Sequence, residues 1–376
     1  MNQQGKIIIN SFIANTGMGF ATILPILVGA IVDDAGFPRE MIGWIASINI
    51  FGMVLGGIVA TLLIGRFRLI TLLQVALVCL ALFDALSIFA TTSSSLILGA
   101  RFFSGIFGGI IYASALAIFS GLEKPIKAFG VYVIVYCAWA TVMLISLPHG
   151  IAAIGVKAGF LLLIGMSIAS FIGTFIIKGL ERETAEKDFI SLNELLANKE
   201  VLIGLSAYFL MQMGGGTVWT YCERIAKEAD LSSSFIGWAL GISSMASMIG
   251  GISVMRLGTS KGLKKPLIIG STIMMTGILT LWFAEIPTLY IVALCMIGGC
   301  WAFLIPFFQQ IQTQFDTSGK VVSLGTIVNM GGRATGPAIA AIVLGSSAYI
   351  NVIWIGIGGL MSSVILVLIL FKRVKK

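Results

Sequence analysis

Three charged residues fall inside long apolar stretches of this 376-residue chain: Asp84, Arg101 and Arg333. A charge at a bilayer centre costs about 2.5–3.5 kcal/mol on insertion scales, so each needs a partner or a water-filled cavity. Asp84 and Arg101 flank the polar turn Thr91-Thr92-Ser93-Ser94-Ser95, and their midpoint falls within it. On two antiparallel helices both stand about 10–13 Å from that turn, at ~1.5 Å per residue. They are placed to pair. The pair has two readings: a structural contact that lets each charge be buried, or a proton-linked switch in which protonating Asp84 frees Arg101. A third outcome is that they do not meet.

Arg333 has no acid in its own apolar stretch, and Asn329 lies one turn earlier on the same face. It is either neutralised by helix-end carbonyls or Glu223, or it is a cation waiting for an anionic group on a ligand. Gly332, Gly336 and Pro337 leave room for a backbone or a ligand beside it. Gln212, Gly216, Trp219 and Glu223 share another helix face, at steps of 4, 3 and 4. With Gly214 and Gly215 they make either a close-packing seam or a hinge. Glu223 is expected at the outer end of its helix. The buried formal charge of Asp84, Arg101 and Arg333 is +1, which favours an anion or zwitterion as ligand over a cation.

These residues are positioned by apolar runs, since about 20 such residues cross a bilayer as a helix. There are twelve, at roughly 7–32, 41–65, 69–90, 95–119, 127–147, 158–177, 201–222, 235–255, 266–284, 288–310, 321–344 and 352–371, here spans 1 to 12. Hydrophobic residues make up 58% of the chain and charged ones 11%, against about 25% charged in soluble domains. That composition excludes a soluble enzyme, a disordered chain and a nucleic-acid binder. Lys and Arg number 18 on the side of the N-terminus and 4 on the other (Arg39, Lys157, Arg224, Lys227). By the positive-inside rule both termini and the polar segment 178–200 are cytoplasmic. The net charge of +8 is thus topology.

Other chemistry has little to build on. The one histidine, His149, reads as interfacial, and the five cysteines lack metal or redox spacing. The sixteen methionines read as apolar filler rather than a copper path. Gln309, Gln310, Gln312 and Gln314 read as a solvated helix end. No phosphate-binding Gly-x4-Gly-Lys-Ser/Thr occurs. No cofactor and no metal are expected.

A shift of 194 residues aligns Ile42-Gly43-Trp44 with Ile236-Gly237-Trp238 and Gly56-Gly57-Ile58 with Gly250-Gly251-Ile252. An offset of 195 aligns Gly130 with Gly325. The halves read as a duplication, a transporter architecture with its site near mid-membrane. The same shift places Met18, Thr22 and Pro25, with Asn15, on a face of span 1 equivalent to the span 7 stripe.

Span 4 reads LGARFFSGIFGG, where Arg101, Ser104-Gly105 and Gly108-Gly109 look like an arginine-x-x-glutamine-glycine motif with Ser104 for the glutamine. Span 11 reads GGRATGPAIAA, where Gly332, Gly336 and Pro337 look like a Gly-x-x-x-Gly-Pro element. With six spans, a charged linker and six spans, the whole chain resembles the major facilitator superfamily of secondary transporters, and within it the drug/metabolite:proton antiporters. The Gly-Pro element usually lies in span 5 of those antiporters, and span 5 lacks it here. The loop after span 2 keeps only Gly65-Arg66-Phe67-Arg68 of the family's acidic and basic cluster.

The expected fold is all-α and integral to the membrane: twelve transmembrane helices in two pseudo-symmetric six-helix bundles. Residues 1–177 form the first, 178–200 a cytoplasmic linker and 201–376 the second. The expected function is proton-coupled transport of a small organic solute, anionic or zwitterionic, by alternating access, with export favoured over import. The alternatives are an uncoupled facilitator or exchanger, an uptake symporter of a small organic acid, and a non-transporting receptor. Arg333, Asn329, Gln212, Trp219, Asn15 and Thr22 are the expected substrate contacts. Asp84, Arg101 and Glu223 are the expected proton-coupling residues, the arginine's role being implied by the resemblance. The partners are substrate, protons and the lipid bilayer. A monomer in a bacterial inner membrane is expected.

Overall fold

The computed structural model describes residues 2–64, 66–122, 125–180, 198–257, 262–315, 320–344 and 347–373. Most of the expected linker (181–197) and Gly65 lie outside them. So do Lys124, Lys261, Lys375 and Lys376 of the charge count. Among the described residues the secondary structure is helical, apart from one isolated bridge between Ile64 and Phe67. Eleven helices are long and apolar enough to cross a membrane, and a bent pair makes twelve.

The chain divides into two compact units, Met1–Glu186 and Lys187–Lys376. In the first, span 1 is Gln3–Gly17 and Gly19–Ala35, bent by 40°. The other five are Met41–Leu63, Leu69–Ala90, Ser94–Ser120, Pro125–Ile154 and Lys157–Ile176. In the second, spans 7 to 12 are Lys199–Glu228, Ser233–Leu257, Lys264–Thr280, Pro287–Phe315, Lys320–Leu344 and Val352–Arg373. Several run past their apolar cores, and side-chain or backbone caps end them. Asn198 caps span 7 by accepting from the Glu200 and Val201 amides at 3.0 and 3.2 Å. Gly36 ends span 1 at φ 62°, a left-handed position that suits glycine.

Within each unit the same neighbours recur. Span 4 packs on spans 1, 2 and 3, as span 10 packs on 7, 8 and 9. Span 1 packs on 5 and 6 as span 7 does on 11 and 12. The duplicated triplets hold equivalent places: Ile42 and Ile236 are buried, whereas Trp44, Trp238, Ile58 and Ile252 are exposed. Gly56 lies against the backbone of Ile106 and Gly250 against that of Gly299. Asn49 Nδ2 donates to the Arg101 carbonyl at 2.8 Å, and at the matching position Ser243 Oγ donates to the Leu294 carbonyl at 2.7 Å. Small residues thus let helices approach where lipid supplies no hydrophobic drive.

Two helix ends differ from the apolar runs. Gln312 is 2% exposed, not solvated, and its amide packs on Gly325 without a hydrogen-bond partner among the described residues. Arg224, counted to the outer side and past the apolar run of span 7, lies within the span 7 helix and is buried.

Candidate functional site

In the first unit, Asp84 stands six residues before the end of span 3 and Arg101 seven after the start of span 4. Their turn therefore brings them level, and Arg101 Nη2 meets Asp84 Oδ1 at 2.8 Å. Both are fully sequestered, and more holds them than the sequence indicates. Arg101 Nε donates to Ser87 Oγ at 3.0 Å, and Nη2 donates to the Phe83 carbonyl at 3.2 Å and to Ser87. Ser104, in the glutamine's place, donates to Asp84 Oδ1 at 3.0 Å. The guanidinium carbon lies over the rings of Phe20 and Phe160, 4.9 and 5.1 Å from their centroids. Spans 1, 3, 4 and 6 thus converge on one cation. Two aromatic faces add attraction and exclude water, which strengthens the ion pair they enclose.

On span 1, Thr22 spends its hydroxyl on the Met18 carbonyl at 3.0 Å, beside the bend. Asn15 is 2% exposed and neither amide atom has a partner among the described residues. A buried amide without partners is costly.

In the second unit, spans 7, 10 and 11 bring together four polar side chains and a tryptophan. Arg333 is 9% exposed, and its guanidinium carbon lies 5.6 Å from the Trp301 ring centroid. No carboxylate pairs with it among the described residues, Glu223 included. Trp301 Nε1 donates to Gln212 Oε1 at 2.8 Å. An indole N–H only donates, so the contact fixes the amide and leaves Gln212 Nε2 as a buried donor without a partner among the described residues. One turn down, Asn329 Nδ2 donates to the Tyr208 hydroxyl at 2.6 Å, and Asn329 Oδ1 is likewise a buried acceptor without a partner. Tyr208 is itself stacked on Phe308 at 5.1 Å. The sequence indicates Arg333, Asn329 and Gln212 but not Trp301 or Tyr208. Trp219 is half-buried, and its carbonyl accepts from the Cys222 thiol at 3.1 Å.

The glycines near Arg333 do not leave room for a ligand. Gly332 faces the backbone of Phe209 and Met213, and Gly336 faces Met213 and Thr217. A Cβ at Gly216 would stand 2.9 Å from Arg333 Cα. The span 7 glycines are a packing seam: Gly214 lies on Gly356 of span 12, Gly215 on Met274 of span 9 and Gly216 on Arg333.

Glu223 is inside span 7 rather than at its end, 4% exposed. Its carboxylate meets Arg224 Nε at 2.9 Å and Lys227 Nζ at 3.1 Å. Because Glu223 and Arg224 cancel, the excess of one buried cation stands.

A family model for the major facilitator superfamily matches residues 9–337. No curated protein matches the chain. Among solved structures, an aspartate-to-alanine variant of the nucleoside transporter NupG superposes with a TM-score of 0.76 at 15% identity, over 98% of this chain and all of that one. NupG itself superposes at 0.73 and 15% identity, over the whole of both chains. At that identity the likeness is one of fold. The match over 9–337 settles the family: the chain belongs to the major facilitator superfamily and is a membrane transporter rather than an enzyme.

Proposed function

We propose that this transporter carries a small organic anion by alternating access, coupled to protons, with Arg333 as the anion's principal contact. One observation carries the reading. Arg333 is a nearly buried cation that lies over an aromatic ring, with no acid on it among the described residues. A structural arginine in lipid is expected to hold a carboxylate, as Arg101 does. A guanidinium held by an indole face is poised to take an anion, and its fork fits a carboxylate bidentately. Asp84 and Arg101 supply the proton-linked element in this reading, export is its direction, and the protein works as a monomer in a bacterial inner membrane. NupG, by its name, moves nucleosides. A neutral nucleoside would leave the charge of Arg333 unanswered, so an anion is preferred.

The test is transport by purified protein in liposomes, with an imposed pH gradient and a panel of radiolabelled carboxylates and nucleosides. Gradient-driven movement of a carboxylate is expected. Movement of a cation, or of nucleosides alone, overturns the anion reading.

In the same reading both termini and 178–200 lie in the cytoplasm. A single cysteine introduced in 181–197 should resist an impermeant thiol reagent on intact cells and react once the membrane is opened. Labelling from outside would reverse the topology.

A further inference from the structure

Resting on the reading of Arg333 as an anion contact, we infer that the cargo is a 2-hydroxycarboxylate, with the hydroxyl recognised by Asn329 and the carboxylate by Arg333 and Gln212. The cluster leaves three hydrogen-bonding capacities unused among the described residues. They are the Arg333 fork, the Gln212 Nε2 donor and the Asn329 Oδ1 acceptor. Two of these donate to an anion and one accepts from the ligand. Gln212 Nε2 cannot turn away, because the indole N–H of Trp301 claims the other end of its amide. Asn329 Oδ1 is held by the Tyr208 contact on its own amide nitrogen. A bare carboxylate would fill the donors and leave the acceptor empty, and an unmet buried acceptor is costly.

Asn329 and Arg333 are one helical turn apart, so their Cβ atoms are about 5–6 Å apart. They thus stand on adjoining turns of one helix face, and a small ligand that meets both presents its donor close to its carboxylate, as a 2-hydroxyl or a 2-ammonium does. The two differ in charge. An ammonium in this setting needs a carboxylate. The buried acid on the helix of Gln212, Glu223, already holds Arg224 and Lys227. The hydroxyl needs only the neutral acceptor that Asn329 presents. An anion or zwitterion is thereby narrowed to an anion with an adjacent hydroxyl.

The experiment is titration of the purified full chain by calorimetry with matched sets. One is lactate, propanoate and alanine; the other is phenyllactate, phenylpropanoate and phenylalanine; uridine is added as a neutral nucleoside. Each hydroxy acid should bind about tenfold or more tightly than its deoxy partner, from one recovered hydrogen bond, and the amino acids should bind more weakly still. In Asn329→Ala the hydroxy-to-deoxy ratio should fall to about one. Should that variant not fold, the wild-type ratios decide. Equal binding of hydroxy and deoxy acids overturns the inference while leaving Arg333 as an anion site. Binding of the amino acids in preference overturns it too. Binding of uridine with no carboxylate overturns the anion reading itself, and silence from the whole panel removes the hydroxycarboxylate.

Discussion

Asp84→Asn alone is expected to remove most of the folded protein. The substitution leaves Arg101 with Ser87, the Phe83 carbonyl and two aromatic faces, but with no opposite charge on a guanidinium that is 0% exposed. Breaking a buried pair by removing one partner costs about 3–5 kcal/mol, a large share of the ~5–15 kcal/mol that holds a typical native fold. Yield of monodisperse protein and melting temperature in detergent report it. The double variant Asp84→Asn/Arg101→Gln should recover part of the loss, because a neutral pair avoids the unpaired charge although the shorter glutamine leaves space between Phe20 and Phe160. The double variant also separates the two roles. If it folds and moves its cargo without responding to a pH gradient, the pair is the coupling element. If it folds and stays coupled, the pair is structural. A single Asp84→Asn variant that melts like the wild type would show that the pair does not hold the fold.

Arg333→Ala should act in the opposite sense on stability. The guanidinium stacks on Trp301, worth about 0.5–2 kcal/mol, while its charge is unneutralised in a low-dielectric place. The close approach of its backbone to Gly216 is kept by alanine. The melting temperature should therefore hold or rise. Affinity for the transported anion should fall roughly ten- to hundredfold, as a charge-assisted contact of about 1.5–3 kcal/mol is lost. Arg333→Lys should recover part of it, since the charge returns without the fork. Opposite signs on stability and affinity identify a functional arginine. Unchanged affinity for an identified cargo would make Arg333 structural.

The spans and the Asp84–Arg101 contact are legible in the sequence because they follow from local rules. Apolar length predicts a crossing helix, and two residues equidistant from a short turn must lie level. The repeat is legible at Gly56 and Gly250, whose missing side chains make equivalent backbone contacts. The matched Gly130 and Gly325 differ in their surroundings. Among the described residues the first has open space beside it, whereas Gln312 covers the second. Ser87, Phe20 and Phe160 around Arg101, and Trp301 and Tyr208 beside Arg333 and Asn329, are not legible. They are brought in by folding from other turns and other helices, and helical periodicity describes only one helix at a time. Gly332 and Gly336 show the same limit: a missing side chain marks a close approach, but the sequence does not say whether a helix or a ligand makes it. The burial of Arg224 is not legible because an arginine after an apolar run resembles a loop residue. Its neighbour Glu223 lets the helix carry both charges into the buried region.

The glycine contacts have a mechanical consequence. Where backbone touches backbone, as between spans 2 and 4, 8 and 10, and 7 and 11, no side chain remains that could change rotamer and let one helix slide. These pairs behave as stiff twinned rods. Elastic give within a unit must lie elsewhere. In the first unit span 1 breaks by 40° at Met18; Gly17, before the break, is itself seated on the span 4 backbone at Gly108, whereas Gly19, after it, meets only the side chains of Leu163 and Met166, so the give lies on that side of the break. Span 7, its counterpart by the 194-residue shift, runs unbroken from Lys199 to Glu228. The duplicated halves are therefore unequal springs: strain applied to the first can be taken up at a joint, while strain applied to the second is passed along the whole of span 7.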